Sequence, residues 1–235
     1  MGTPFDYSNH PITTPGRLVR WGGRVLRGVR EVQAQVDPWA TAWEEHNRAA
    51  VAGEGPWWLV LGDSMAQGVG ASTYDGGWPG RVRELVPRTA ALRMVNLSVY
   101  GAGVADVVGQ QLPAAERITA EQGAPALVTC VIGSNDLIGR ARRAGLPASL
   151  AAMLEALPVG SVVASQPQGR PGTAGFNTLL DEVASRRGLR VADFRPPGAV
   201  DWRGGIGRDL FHPNDRGYAA MAAVVAVPVR EHLAR

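Results

Sequence analysis

The sequence predicts a three-layer α/β/α sandwich around a central, mostly parallel five-stranded sheet, preceded by a helical N-terminal extension. Three observations lead there. From Trp57 onward, short apolar runs alternate with longer amphipathic stretches, the order in which strands and covering helices alternate in a parallel sheet. The apolar runs are rich in β-branched residues or continuously apolar, as strands buried on both faces must be. The chain has 235 residues, 45% of them hydrophobic, which describes one globular unit with a sizeable core.

Residues 1–56 precede the alternation and form the extension, with Gly53-Glu54-Gly55-Pro56 as the joint to the main domain of residues 57–235. The strands are Trp58 to Leu61, Met94 to Leu97, Ala126 to Ile132, Ser161 to Ala164 and Arg190 to Phe194. Helices are expected at Trp78 to Val86, Val104 to Leu112, Ser149 to Leu157, Thr173 to Arg187 and Asp215 to Leu233. Right-handed crossovers then put helices on both faces, and ligands of such sheets sit outside the carboxyl ends of the strands. Functional residues are therefore expected just after strands.

Composition removes several chemistries. All 24 cations are arginine, so Schiff-base catalysis, a Walker phosphate loop and a Ser-Lys dyad, which need an ammonium, are excluded. Cys130 is the single cysteine, and His10, His46, His212 and His232 are scattered without a second ligand at zinc spacing, so no metal or cofactor is expected. The net charge is only +3, with both signs interspersed after residue 36, which argues against a nucleic-acid partner. No apolar run reaches the roughly 18 residues of a membrane span, and Met1 to Pro15 lacks the apolar core of a secretory signal. The reading is a cytoplasmic monomer. Within residues 17–36, Leu18, Trp21, Val25, Val29, Val32 and Val36 recur at helical spacing opposite Arg17, Arg20, Arg24, Arg27 and Arg30. Such a stripe either packs on the body of the protein or lies on an anionic membrane surface.

Three strands end in small polar clusters: Gly62-Asp63-Ser64, Asn96 through Gly103, and Gly133-Ser134-Asn135-Asp136. The C-terminal segment adds Asp209-Leu210-Phe211-His212, an acid and a base three residues apart. His212 is the histidine with an acid placed to orient it. His46 falls on a solvated helix, and His232 sits where it complements a helix dipole. Ser64 is read either as a nucleophile in a sharp strand-to-helix turn or as a helix N-cap. Gly101-x-Gly103 is a poor dinucleotide fingerprint, because Asp106 stands at the third glycine. Asn135 and Asp136 also suit a helix cap, and Asp136 is set aside as one.

Together these blocks resemble the SGNH or GDSL hydrolases: Gly62-Asp63-Ser64-Met65, Asn96 to Gly101, Gly133-Ser134-Asn135-Asp136 and Asp209-x-x-His212, in order over roughly residues 58–220. The resemblance implies a flavodoxin-like sheet and a serine esterase or lipase-like acyl hydrolase. It implies that Ser64 attacks an ester carbonyl, His212 carries the proton and Asp209 holds the imidazole tautomer. It also implies an oxyanion hole from the N–H groups of Ser64 and Gly101 and the Asn135 amide. Met65 replaces the usual leucine, and Tyr100 stands before Gly101 where a small residue is common, either narrowing the acyl pocket or packing on the extension.

The expected partner is a small-molecule ester of a lipid or sugar. Four glycine-rich loops, Ala66 to Pro79, Leu137 to Pro147, Gln166 to Thr173 and Pro196 to Arg208, are expected to shape its pocket. Arg140, Arg142 and Arg143 either bind an acidic group or begin a solvated helix. Tyr74, Trp78 and Trp202 either face substrate or anchor their loops. The same triad also serves an acyltransferase or a carbohydrate O-deacetylase. A different class of reading is a non-catalytic lipid- or carbohydrate-binding module, which has no need of a complete proton relay.

Overall fold

The computed structural model describes residues 5–11 and 27–234. Its centre is a five-stranded sheet in the order β2-β1-β3-β4-β5, formed by β1 (Trp57–Gly62), β2 (Arg93–Asn96), β3 (Leu127–Val131), β4 (Val162–Ala164) and β5 (Arg190–Ala192). Every pairing is parallel. β1 pairs with β2 from Trp57↔Arg93 to Val60↔Asn96, and with β3 from Trp58↔Leu127 to Gly62↔Val131. The strand order reverses between β1 and β3, so the crevice that such sheets use for ligands opens beside Gly62.

All six residues of β1 are buried. Trp57, Leu59 and Leu61 enter one core with Val128, Cys130 and Val163, while Trp58 and Val60 enter the other. This period-2 division is what a strand between two helical layers requires. Each such side chain contributes about 1.5–3 kcal/mol of burial. The indoles keep their polar atoms paired, Trp57 Nε1 donating to Gly123 O at 3.0 Å and Trp58 Nε1 to Thr129 Oγ1 at 2.9 Å.

The first face is covered by three helices. One runs continuously through Val104–Asp106, the π-turn Val107–Gln111 and Leu112–Gln122, together called α4. The others are α6 (Arg140–Ala156), which follows the short α5 (Ser134–Ile138), and α7 (Thr173–Arg187). The second face holds α3 (Trp78–Leu85) and α8 (Asp215–Leu233), joined by Trp43 from α2 (Val36–Ala52).

Two helices run longer than the sequence suggests. Expected to stop before Pro113, α4 continues because the π-turn changes its hydrogen-bonding register where the proline lacks an N–H. The expected loop from Leu137 to Pro147 is largely helical, since α6 contains Pro147. Leu146, Leu150, Met153 and Leu154 are all buried along it, and their burial outweighs the roughly 3 kcal/mol an internal proline costs.

Part of the N-terminal extension packs into the main body. Trp43 is 1% exposed, between α2 and the nucleophile-side loop, and donates its indole N–H to Gln67 O at 3.1 Å. Of the arginine-striped segment, residues 17–26 lie outside those described. In α1 (Arg27–Gln33), Val32 faces the protein, as does Val36 beyond it, and Arg27 pairs with Glu31. Among the described residues no helix is long and apolar enough to cross a membrane. His46 is not on a solvated face: its ring is half-buried edge-on to Trp43, with Nε2 3.1 Å from Met94 O, and burial lowers its pKa.

Candidate active site

Ser64 lies two residues beyond β1, where the backbone leaves the sheet. Gly62 has φ +157°, and a Cβ there would sit 2.7 Å from Val131 O, so β1 approaches β3 at this point only without a side chain. No helix starts at Ser64, contrary to the expected strand-to-helix turn. Residues 63–71 form successive turns, with bonds such as Ala66 N→Asp63 O (3.0 Å) and Val69 N→Ser64 O (3.1 Å), and α3 begins only at Trp78. The left-handed glycines at 68 and 70 prevent those turns from propagating as a helix. Ser64 therefore does not sit at the N-terminus of a helix of its own. Nor is its hydroxyl a cap, because the N–H groups such a cap would take, of Ala66 and Gln67, donate to Asp63 O at 3.0 and 3.3 Å.

The hydroxyl instead reaches across 148 positions of sequence to His212, with Oγ 2.9 Å from Nε2. Nδ1 of His212 lies 2.5 Å from Asp209 Oδ2. Asp209 also builds the turn that carries the histidine, since its Oδ1 accepts the N–H groups of Phe211 (3.1 Å) and His212 (3.0 Å). Burial pushes the Asp209 pKa up, but the hydrogen bond and charge of His212 and the two amides more than offset this and hold it below the ordinary range. Leu210, inside the turn, has φ +60° and is 82% exposed. The imidazole is flanked by Phe211, edge-on at 4.9 Å, and by Tyr100, tilted 32° at 5.8 Å. Tyr100 therefore stands against His212, and its own pKa is raised by burial and then by Asp209.

Gly101 has φ +76°, and a Cβ there would meet nothing within 4 Å, so its glycine character answers to the backbone turn and the open space beside it. Among the described residues neither the Ser64 N–H nor the Gly101 N–H has an internal partner. The Asn135 amide donates to Ala102 O at 2.9 Å and lies 3.4 Å from Asp63 Oδ2, so it spans the nucleophile turn and the Gly101 loop and does not cap its own helix. Asp63 is fully buried and receives Ser134 Oγ at 3.1 Å as well as Met65 N. Burial pushes its pKa up to about 6 against the lowering effect of those bonds. Asp136 caps α4 by accepting Val104 N–H at 3.1 Å.

A cavity of about 290 Å³ opens on the β3–β5 side, lined among others by Met65, Leu137, Gln166, Arg170, Trp202 and Phe211. Three of the four expected loops reach it. Residues 66–79 pack on the N-terminal segment instead: Gly70 N–H donates to Gln35 Oε1 at 2.8 Å, and Tyr74 packs edge-on against Trp43. Trp78 is wholly buried, which leaves Trp202 as the expected aromatic on the cavity. Arg142 donates to Gly101 O at 2.8 Å, while Arg170 lines the cavity. Among the described residues no cluster of three or more His, Cys, Asp or Glu side chains is placed to hold a metal ion.

The sequence reading missed Gln111. From the π-turn its side chain accepts the Gly62 N–H at 2.9 Å and donates to Gly62 O at 2.8 Å, gripping the peptide that precedes Asp63-Ser64. A π-turn beside a candidate site is a common association, yet no local pattern in the sequence marks it.

The family model for GDSL-like lipases and acylhydrolases matches residues 60–220. The chain belongs to that family. The crystal structure of TesA is 25% identical, with 74% of this chain matched to 98% of that one at a TM-score of 0.59. The psychrotrophic esterase EstA from Pseudoalteromonas sp., solved with monoethylphosphonate as inhibitor, is 15% identical, with 77% of this chain on 100% of that one and a TM-score of 0.58. The lipase/acylhydrolase from Enterococcus faecalis is 17% identical, with 74% on 96% and a TM-score of 0.55. At these identities the last two show the fold alone. A comparison with curated proteins gives no match.

Proposed function

We propose that this acyl hydrolase is a serine esterase that cleaves carboxylic esters through an acyl-serine intermediate. The observation that carries the reading is the unbroken chain Ser64 Oγ, His212 Nε2, His212 Nδ1 and Asp209 Oδ2, at 2.9 and 2.5 Å. Ser64 Oγ attacks the ester carbonyl as Nε2 takes its proton. Asp209 keeps the proton on Nδ1, so that Nε2 is free to accept, and stabilises the imidazolium that forms. The tetrahedral oxygen is held by the N–H groups of Ser64 and Gly101 and by the Asn135 N–H that otherwise makes the long 3.4 Å contact to Asp63 Oδ2, which it gives up for the oxygen. Collapse expels the alcohol, which takes the proton from Nε2; water then attacks the acyl-serine by the same relay.

The cavity is at the small end of ligand pockets, and its largely apolar lining suits an acyl chain of small or medium length. Ile206, Leu210 and Phe211 extend that apolar character outward from the cavity.

The test is steady-state hydrolysis of p-nitrophenyl esters from acetyl to lauroyl, wild type beside Ser64→Ala. Turnover that peaks at one chain length and vanishes in Ser64→Ala supports the reading. Turnover that survives in Ser64→Ala, or a folded wild type inert on every ester, overturns it.

A further inference from the structure

A buried polar network joins the N-terminal segment to both halves of the candidate site. The Asn96 carbonyl, at the end of β2, accepts the amides of Asn9 (2.9 Å) and Asn47 (2.7 Å), and the Asn96 N–H donates to Asn47 Oδ1 at 2.8 Å. The Ser98 carbonyl accepts Asn9 Nδ2 (2.8 Å) and Gln67 Nε2 (3.0 Å). Asn47 Nδ2 also reaches Asn9 Oδ1 at 2.9 Å, and Gln67 Nε2 reaches Asn9 O at 2.8 Å. Asn96 Nδ2 closes the circuit on Ala66 O at 2.8 Å. Asn9, Asn47, Gln67, Asn96 and Ser98 are all 0% exposed.

β2 is an edge strand, whose outer N–H and C=O groups need partners. The Asn47 side-chain amide supplies both to Asn96, as a neighbouring strand would. Asn96 is the last residue of β2 before the loop to Gly101, and Ala66 and Gln67 belong to the turn that carries Ser64. The network therefore fixes the loop of one oxyanion donor relative to the nucleophile. Both asparagines that close it lie outside residues 60–220, the part the family model covers.

We propose that Asn9 and Asn47 are positioning residues: they hold the loop from Leu97 to Gly103 in the register that aims the Gly101 N–H at the tetrahedral oxygen. This rests on the serine esterase reading. Donors placed before reaction act on the transition state and not on the bound ester, so their displacement should appear in kcat and not in KM.

The experiment compares wild type, Asn9→Ala, Asn47→Ala and Arg93→Ala. Arg93 ties the far end of the same segment by donating to Ala50 O and Gly55 O, and serves as a control for loss of stability alone. Melting temperature, kcat and KM on p-nitrophenyl butyrate, and amide exchange over residues 97–103 are measured. Expected are a roughly 10- to 100-fold fall in kcat for both asparagine variants, KM within threefold, and faster exchange in residues 97–103 but not in β3. Arg93→Ala should lower the melting temperature and leave kcat unchanged. Asn9→Ser, a smaller perturbation, carries the same expectation should an alanine variant not fold. Asparagine variants with kcat within twofold of wild type and unaltered exchange at 97–103 overturn the proposal, as does an equal kcat loss in Arg93→Ala. If wild type hydrolyses no ester, the esterase reading fails by itself, and slow or fast exchange at 97–103 still decides whether the asparagines hold the loop.

Discussion

The two loops that frame Ser64 are held in opposite ways. The turn from Gly207 to Pro213 is made by its own residues: Asp209 accepts two of the turn's amides and orients His212 within four positions of sequence, and Gly207 N–H donates to His212 O at 2.7 Å. It carries an exposed leucine at a left-handed φ. The loop from Leu97 to Gly103 is held by side chains from elsewhere: Asn9 and Gln67 donate to Ser98 O, Arg142 to Gly101 O and Asn135 to Ala102 O, while Asn47 holds Asn96 just before it. A self-contained turn positions the base even where its backbone is strained, whereas a loop that depends on distant amides is only as well placed as the segments that supply them.

Asp209→Asn separates orientation from scaffold in the first loop and should have the largest effect. An asparagine Oδ1 still accepts the Phe211 and His212 amides, so the fold should persist, while the side-chain NH₂ now faces Nδ1 and selects the tautomer that cannot accept the Ser64 proton. A fall in kcat of about 10⁴-fold is expected with little change in melting temperature. A fall below tenfold would mean that Asp209 serves the turn alone. In the second loop, Asn135→Ala removes a side-chain donor next to Ala102 and should cost about 100- to 1,000-fold in kcat with KM nearly unchanged. An effect confined to KM would place Asn135 in substrate binding instead.

Asp63 directly precedes the candidate nucleophile, and its effect is read as stability against pH. The folded state keeps its proton up to about pH 6, while an aspartate with the ordinary value of 3.8 loses it earlier. Between about pH 4 and 6 the folded state therefore binds more protons, and this group makes stability fall as pH rises. The unfolding free energy of wild type minus that of Asp63→Asn should decline across that window in denaturant titrations. A flat difference would show that the Asp63 carboxyl is not destabilised by its burial. The smallest effect is expected at Leu210: Asn tolerates the left-handed region better than Leu, and the exposed side chain loses no burial. Leu210→Asn should raise stability by about 0.5–1 kcal/mol, and a loss would mean that the leucine makes packing contacts in solution.

This contrast also governs what the sequence revealed. The strands and the residues gathered at their carboxyl ends were legible because each rests on a local signal: the continuous apolar run of β1, Gly-Asp-Ser after it, Asp-x-x-His in one turn. The covering helices were legible except where local rules were overridden, at Pro113 by the π-turn and at Pro147 by burial of the leucines around it. Asn9, Asn47 and Gln111 were not legible. Each acts through a side-chain amide on backbone many positions away, and such contacts leave no periodicity, spacing or charge pattern. His46 was misread for a related reason: the helix bearing it has a buried side that exists only because the edge of the sheet lies beneath it.

The most direct test of the central claim is covalent labelling of the nucleophile. Wild type, Ser64→Ala and His212→Ala are treated with a p-nitrophenyl alkylphosphonate, and adducts are located by mass spectrometry of the peptide that contains Ser64. A single adduct on Ser64, absent in Ser64→Ala and formed at least 100-fold more slowly in His212→Ala, is the expected result. Ester hydrolysis with no adduct on Ser64, or an adduct that forms equally fast without His212, would contradict it.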